Sequence, residues 1–307
     1  MDIINSISDH NNDLSKSQVE GILYLILKEP ELTNSALVRK TGLPKETLRR
    51  FKSSIASLLQ EEEDEKILFK REIASDLREV NLSPYSWSLV DYENPELEKQ
   101  LVELRKEHNL QPKREYDQFF ATETTSVSKM EIMRARGDIK NKRIALLGDD
   151  DLVSIVLGLS SEDYTQITVF DIDKDILEII DKIGEEKNLQ NIRTEFYDAR
   201  EPIRPDLRAH FDVVVIDPPY TSSGVRLFLE RALSFLGPTN EDSIYLYYGN
   251  SFKTPEKTFQ IQDLVSKYNL LIKEKIDNFA HYYGAESIGS SSSLYLLETF
   301  AGTKLPV

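Results

Sequence analysis

Short apolar runs alternate with stretches of helical spacing in the second half of the chain. The apolar runs predict strands at residues 143–147, 167–171, 192–197, 212–217, 244–248, 270–276 and 294–300. Apolar positions three or four residues apart predict helices between most of these strands, for example at 175–187, 226–236 and 255–268. Strands that alternate with helices are typical of a parallel, doubly wound α/β sheet.

The end of the chain departs from this alternation. Only a loop separates the apolar runs at 270–276 and 294–300. We therefore expect an antiparallel pair of strands at one edge of the sheet. The predicted fold is a Rossmann-like, methyltransferase-type α/β sheet, which we assign to residues 112–307 as the catalytic domain.

The first 111 residues carry a different pattern, which predicts a small helical domain. Residues up to about Asn12 are polar, and we expect them to be frayed. Apolar spacing predicts a helix over 17–28. Within 33–51 one helix ends at Gly42 and another starts near Pro44, which is the outline of a helix-turn-helix.

A candidate wing follows the helix-turn-helix. The apolar stretch Ile67–Phe69 precedes the basic residues Lys70 and Arg71, as in a winged helix. The pattern at 94–109 predicts a connecting helix with one apolar face. We place the domain boundary near Gln111–Pro112, so that residues 1–111 form a helix-turn-helix-like, winged-helix-like domain.

Two interpretations of this N-terminal domain remain open. Lys45, Arg49, Arg50 and Lys52 would suit DNA binding, and residues 15–60 hold eight basic and four acidic side chains. The alternative is a domain used for dimerisation or as a lid over the catalytic domain. The formal net charge of -15 for all 307 residues favours the alternative.

The composition limits the partners and the location of the protein. A strongly acidic chain argues against a bulk nucleic-acid or anionic-membrane binder and suits a cationic small substrate, although solubility alone explains many acidic proteins. The absence of cysteine excludes disulfides and thiolate chemistry. No apolar run approaches a membrane span and no secretory signal is recognisable, so we expect a cytoplasmic protein.

A turn with three consecutive aspartates follows the first predicted strand. The apolar run ends at Gly148, then come Asp149, Asp150 and Asp151, and helical spacing resumes at Leu152. Ligands of open α/β sheets bind beyond the carboxyl ends of the strands, where this turn lies. Phosphate sites need glycines and free N–H groups at such a turn. One glycine and three negative charges instead predict a cationic ligand.

Two further acids end the next two strands. Asp171 lies about twenty residues after the first turn, where a Rossmann-like fold places the acid that binds ribose hydroxyls. Asp198 closes the third strand, where an acid in adenosyl-binding sheets reaches the adenine amino group. A helix N-cap is an equally good interpretation of Asp198.

The fourth strand ends in a rigid turn, Asp217-Pro218-Pro219-Tyr220. The two prolines have fixed φ and no N–H, so they hold the turn in one shape. The carboxylate of Asp217 and the ring of Tyr220 would then point at a substrate nitrogen. Enzymes that transfer an alkyl group from a sulfonium to an amino nitrogen use such a sequence, although a purely structural turn is the alternative.

Other familiar chemistries find no support. The sequence has no Gly-x-x-x-x-Gly-Lys phosphate loop and no Gly-x-Ser-x-Gly turn. Its four histidines, His10, His108, His210 and His281, lack ligand spacing, so we expect no metal. We expect His281, which lies in an aromatic loop, to be packed or on the surface.

Several of these motifs together resemble the archaeal and bacterial branched-chain polyamine synthases. They are Lys113–Thr122, Met133–Asp138, Gly148–Leu152, Phe170–Asp173 and Asp217–Thr221. The resemblance covers residues 113 to about 283, and a helix-turn-helix-like N-terminal domain also fits the family. It implies transfer of aminopropyl groups from decarboxylated S-adenosylmethionine to the central secondary nitrogen of spermidine, with methylthioadenosine as by-product. We also expect a homodimer.

The resemblance and the motifs together assign the site. Gly148-Asp149-x-Asp151 matches the catalytic motif of the family by position. We expect Asp149, Asp151 and Asp217 to be catalytic, Asp150, Pro219 and Tyr220 to bind the polyamine, and Gln118, Gly148, Asp171, Ile172, Asp198 and Ala199 to bind the donor.

Charge supports this assignment. Three aspartates would repel the carboxylate of intact S-adenosylmethionine and attract the decarboxylated donor. The attacking amine must be neutral, which costs about 4–5 kcal/mol at pH 7 for an amine of pKa near 10.4. Flanking ammoniums lower this cost at the central nitrogen, and a crowded carboxylate can take the proton. We predict Asp151 as this base, with Asp217 next.

Two rival functions remain. A methyltransferase acting on nucleic-acid bases could use Asp-Pro-Pro-Tyr, with the tyrosine stacked on a flipped base. The acidic balance and the absence of a glycine-rich first turn count against it. A non-enzymatic regulator could combine DNA binding by the helix-turn-helix with polyamine sensing by the α/β domain.

Overall fold

The computed structural model of the chain describes residues 3–11, 14–41, 43, 45–60, 66–80, 82, 93–113, 116, 118–237, 241–249, 255–283 and 291–306. Two compact units make up the chain: Met1–Asp91 with Glu131–Gly137, and Tyr92–Met130 with Asp138–Val307. The domain boundary that we predict near residue 111 stays a prediction.

The first unit is built from short helices. They are α1 (Ile3–Asp9), α2 (Lys16–Lys28), α3 (Asn34–Thr41), α4 (Lys45–Ser54) and α5 (Arg71–Glu79). Helix α2 begins with a capping box, in which the side chains of Ser15 and Gln18 each accept a hydrogen bond from the other's backbone N–H. Ile22, Phe51 and Leu77 are fully buried in the apolar core of this unit.

Two predictions for this unit change. Residues 3–9 are a helix and not frayed, because Ile4 and Ile7 are buried in the core. Helices α3 and α4 lie where the helix-turn-helix was predicted, although Gly42 and Pro44 fall outside the described residues. The wing is not confirmed: in the described part of 59–71 only isolated bridges form, and Arg71 already begins α5. Residues 61–65, which are five consecutive acids in the sequence, lie outside the described residues.

The second unit contains the predicted sheet. Its strands are β1 (Arg143–Leu147), β2 (Gln166–Asp171), β3 (Ile192–Phe196), β4 (Val213–Ile216), β5 (Ser243–Tyr248), β6 (Leu271–His281) and β7 (Ser291–Glu298). The spatial order is β3-β2-β1-β4-β5-β7-β6. The first five strands pair in parallel, and β7 is antiparallel to both β5 and β6. The α/β fold and the antiparallel edge are therefore confirmed.

Helices flank this sheet and bury its central strands. They are α6 (Pro95–Glu107), α7 (Glu123–Arg136), α8 (Val153–Leu159), α9 (Lys174–Glu186), α10 (Ser222–Leu236) and α11 (Pro255–Lys267). The last residues of α7, from Glu131, belong to the first unit. Phe170 and Phe235 stack with ring centroids 4.7 Å apart in the core.

Strands β1, β2 and β4 are parallel, so the turns that follow them lie at the same edge of the sheet. The strand order reverses between β1 and β4, which is the usual ligand site of such sheets. In the part of the chain that the structure describes, no helix is both long enough and apolar enough to cross a membrane.

Candidate active site

A cavity of about 540 Å³ opens at the carboxyl ends of the parallel strands. Of the twelve site residues predicted from the sequence, all except Asp149 line it. The lining members are Gln118, Gly148, Asp150, Asp151, Asp171, Ile172, Asp198, Ala199, Asp217, Pro219 and Tyr220. The structure thus brings together the three turns that the sequence singled out.

The turn after β1 gives its first aspartate a structural role. The carboxylate of Asp149 accepts hydrogen bonds from the N–H groups of Val153 (2.7 Å) and Ser154 (3.0 Å), and so caps α8. Two left-handed residues, Gly148 with φ +83° and Leu152 with φ +57°, bend the chain to allow this. Burial raises the pKa of Asp149 to about 7. Its carboxylate is engaged by the helix and absent from the cavity wall.

The two carboxylate oxygens and the carbonyl oxygen of Asp151 all accept hydrogen bonds. Its Oδ1 accepts a hydrogen bond from the N–H of Ala121 (2.6 Å), and its Oδ2 accepts one from Nζ of Lys129 (2.6 Å). Its carbonyl oxygen accepts hydrogen bonds from Arg105 and from the hydroxyl of Ser126, each at 3.0 Å. The orientation of Asp151 is therefore set by α6 and α7 as well as by its own turn.

Asp150 lies between these two engaged residues and differs from both. Its carboxylate accepts no hydrogen bond from the described residues, and it lines the cavity. Burial, together with the charges of Asp151 and Asp217, raises its pKa well above the usual range. Asp150 is thus an acid of the cavity wall whose neutral form is favoured until a cation binds beside it.

The Asp-Pro-Pro-Tyr turn closes the same wall. Asp217 Oδ2 accepts hydrogen bonds from the hydroxyl of Tyr282 (2.6 Å) and from Nζ of Lys129 (3.0 Å). Burial raises the pKa of Asp217, although Lys129 opposes the shift. Tyr220 packs edge-on against Tyr248 with ring centroids 5.3 Å apart. The turn therefore presents one carboxylate and one aromatic ring to the cavity.

Sequence reasoning missed Lys129 and Tyr282. Lys129 is 2 % exposed, and its ammonium also lies 4.3 Å from the ring centroid of Tyr247. Burial alone would lower its pKa, but Asp151 and Asp217 outweigh burial and raise it well above the usual range. Tyr282 lines the cavity beyond β6. Neither residue belongs to a motif, and their partners are 22 and 65 residues away along the chain.

The ends of β2 and β3 form the other side of the cavity. The carboxylate of Asp171 accepts hydrogen bonds from the N–H groups of Asp149 (3.1 Å) and Asp173 (2.8 Å), and burial raises its pKa. Asp198 pairs with Arg200, which lowers the pKa of Asp198. Asp171 thus ties the β1 turn to the β2 turn.

Apolar and aromatic residues complete this side. Tyr116, Phe119, Ile172, Ala199 and Phe228 line the cavity beside the acids. Such a mixture suits a flat heteroaromatic ring with hydroxyl groups attached. Among the described residues, no group of three or more acids or histidines is arranged to hold a metal ion.

These features define a class of protein: an α/β protein of the methyltransferase-type architecture whose first turn carries acids where nucleotide sites carry glycines. Residues 96–298 match the model of the branched-chain polyamine synthase A C-terminal domain. The match covers more than half of the chain, and the chain belongs to this family.

Two curated relatives come from Methanocaldococcus jannaschii. An uncharacterized protein is 39% identical over 176 residues, which are 57% of this chain and 44% of the relative. An N(4)-bis(aminopropyl)spermidine synthase is 36% identical over 174 residues, 56% of this chain and 49% of the relative. The chain thus matches about half the length of these curated relatives.

A solved structure shares the fold. The branched-chain polyamine synthase from Thermus thermophilus, in complex with N4-aminopropylspermidine and 5′-methylthioadenosine, superposes with a TM-score of 0.62 at 19% sequence identity. The match covers 98% of this chain and 94% of that chain. At this identity the likeness shows a common fold.

Proposed function

We propose that this protein transfers aminopropyl groups from decarboxylated S-adenosylmethionine to the central secondary nitrogen of spermidine, making branched-chain polyamines. The observation that carries the proposal is that Asp150, Asp151 and Asp217 share one cavity with Asp171 and Asp198. Family membership supports it. So do the named activity of a relative and the polyamine and methylthioadenosine bound by the Thermus enzyme.

The reaction exchanges a carbon–sulfur bond for a carbon–nitrogen bond. The lone pair of the neutral acceptor nitrogen attacks the methylene carbon attached to the sulfonium. As the new bond forms, the bond to sulfur breaks, and sulfur keeps the electron pair as the neutral thioether of methylthioadenosine. The nitrogen becomes a tertiary ammonium and must lose its proton before it can attack a second donor.

The acids of the cavity suit both substrates. The decarboxylated donor carries a sulfonium and an ammonium, and polyamines carry several ammoniums. Intact S-adenosylmethionine carries a carboxylate that three aspartates would repel. We therefore propose that charge selects the decarboxylated donor and disfavours methyl transfer.

The identity of the base stays a prediction. Asp151 is our first candidate because it lines the cavity in one fixed orientation. Asp217 is the next candidate, and Asp150 competes with both because it lines the cavity and accepts no hydrogen bond from the described residues. For Asp149, which was predicted as catalytic, we propose a supporting role through the cap of α8.

The donor would lie on the side of β2 and β3. We propose that Asp171 binds the ribose hydroxyls, that Asp198 reaches the adenine, and that Gln118, Gly148, Ile172 and Ala199 shape the same pocket. The side chain of Gln118 donates a hydrogen bond to Asp173 (3.0 Å), so it would position the β2 turn as well as contact the donor.

We propose that the N-terminal domain serves assembly or substrate enclosure in a cytoplasmic homodimer, and not DNA recognition. Arg49 pairs with Glu46 at 2.7 Å, and Lys52 donates a hydrogen bond to Asn34 at 2.7 Å. These neighbours occupy two of the four basic side chains that DNA would need. Light scattering tests the dimer, and gel-shift assays at low and physiological salt test DNA binding.

One experiment tests the function. The full chain is incubated with decarboxylated S-adenosylmethionine and spermidine, and the products are analysed by mass. We expect one or two added aminopropyl groups and an equal amount of methylthioadenosine. In the control, intact S-adenosylmethionine replaces the donor, with spermidine or RNA as acceptor. A gain of methyl mass there, with no aminopropyl gain in the main reaction, would overturn the proposal.

A further inference from the structure

A buried ammonium joins two of the cavity carboxylates. Nζ of Lys129 lies 2.6 Å from Oδ2 of Asp151 and 3.0 Å from Oδ2 of Asp217. The rings of Tyr247 and Tyr282 are 4.3 and 5.7 Å from the same atom, measured to their centroids. The aspartates follow different strands, so Lys129 links the β1 turn to the β4 turn.

The groups around Lys129 keep it charged. Those that face it are Asp150 and Asp151 of the β1 turn, Asp217 and Tyr220 of the β4 turn, Tyr247 of β5 and Tyr282 beyond β6. All six are acids or phenols, so each favours the protonated lysine over the neutral amine. Lys129 is therefore neither a base nor a nucleophile.

We propose that Lys129 is a positioning residue for aminopropyl transfer, an inference that rests on the proposed function. Its ammonium holds Asp151 and Asp217, which line the cavity, in one arrangement and places a fixed positive charge beside their carboxylates. A like charge within a few ångströms disfavours a protonated amine. The acceptor therefore binds with its central nitrogen neutral, which is the form that attacks the donor.

Acids alone would have two opposing effects on a polyamine acceptor. Carboxylates attract a polyamine, but they also stabilise the proton that the attacking nitrogen must lose. Lys129 cancels this effect locally, next to Asp151 and Asp217. Asp150 lines the cavity beside them, and the flanking ammoniums of the acceptor would favour its charged form and be attracted by it.

A merely structural lysine would behave differently. Buried ion pairs can serve packing alone, and their loss then lowers stability without changing the pH at which the enzyme works. The pH dependence of turnover therefore separates the two roles. It is measured with saturating decarboxylated S-adenosylmethionine and spermidine on the full chain.

Two substitutions form the test. Lys129→Met removes the charge and keeps the length of the side chain, whereas Lys129→Arg keeps the charge. We expect Lys129→Met to move the acidic limb of the kcat profile about 1–2 pH units upward. A shift of this size lowers turnover at neutral pH about 10- to 100-fold, and turnover recovers at high pH. Lys129→Arg keeps the wild-type limb even where its turnover falls.

The outcomes are distinct. An unmoved acidic limb in a Lys129→Met enzyme that still binds methylthioadenosine overturns the positioning role and leaves the proposed function intact. No aminopropyl transfer by the wild type overturns the proposed function and the inference with it. If Lys129→Met does not fold, the comparison is made in an Asp217→Asn background, where the net charge of the pair is restored. The limb of the double variant must then lie above that of Asp217→Asn alone, and equal limbs overturn the inference.

Discussion

Replacing Asp151 with asparagine keeps the shape of the side chain and removes its charge. The asparagine oxygen can still accept the hydrogen bond from Ala121, whereas its amide group faces the ammonium of Lys129 and cannot accept from it. Of its two aspartate partners, Asp151 and Asp217, Lys129 then keeps only Asp217. Losing one charge-assisted hydrogen bond should lower the free energy of unfolding by about 1.5–3 kcal/mol.

Turnover should fall much further than this loss of stability suggests. If Asp151 takes the acceptor proton, kcat should fall about 10²- to 10⁴-fold, which is the usual contribution of a general base. That range corresponds to about 2.7–5.4 kcal/mol of activation free energy. Affinity for the donor should change far less, because Asp171 and Asp198 hold the other side of the cavity. A higher pH should restore part of the rate, since free polyamine then loses its proton without help.

The matched control is Asp150→Asn, one residue earlier in the same turn. Asp150 loses no hydrogen bond to the described residues, so its substitution should raise KM for spermidine about tenfold and leave kcat within a few-fold. The assay is steady-state production of methylthioadenosine at low and high salt. A larger fall in kcat for Asp150→Asn would make Asp150 the base. If both variants lose activity to an equal, modest extent and high salt removes the difference from wild type, the aspartates act only through their combined negative charge.

Three further substitutions test the supporting contacts. Burial raises the pKa of Asp149 to about 7, so its contribution to stability is full at low pH and is lost as pH rises from about 4 to about 7. Asp149→Asn should lack this slope in calorimetric unfolding, and an unchanged slope would contradict the assignment. Asp171→Ala should weaken methylthioadenosine binding about 10- to 100-fold in titration calorimetry, with spermidine affinity nearly unchanged; equal losses for both would refute the ribose contact. Arg105→Lys loses the forked contact with the carbonyls of Ala121 and Asp151 and should lower turnover about tenfold; full activity would show that those contacts do not position the turn.

The sequence predicted the sheet well because its strands are buried. Strands β1, β2, β4 and β5 lie between helices, so they are continuous apolar runs bounded by polar residues. Helix α7 was missed for the opposite reason. Its buried residues include Thr125, Ser126 and Lys129, which no apolar pattern can reveal. Helix α1 is only seven residues long and depends on packing rather than on its own propensity.

The sequence predicted those parts of the site in which an acidic side chain lies in the turn at the end of a strand. The turns at Asp151, Asp171 and Asp217 could be found because each turn lies at the end of an apolar run. Residues that reach the site from elsewhere could not be found in this way. Lys129 and Arg105 come from helices that precede the sheet, and only the folded chain brings them to Asp151.

The three aspartates of the turn Gly148-Asp149-Asp150-Asp151 differ in the hydrogen bonds that they accept. Asp149 and Asp151 satisfy backbone or side-chain donors that the fold itself needs, whereas residue 150 satisfies none among the described residues. A substitution of residue 150 therefore leaves the hydrogen bonds of the turn in place. It changes the charge of the cavity wall instead. The middle position is thus where the charge of the cavity can change while the fold stays the same.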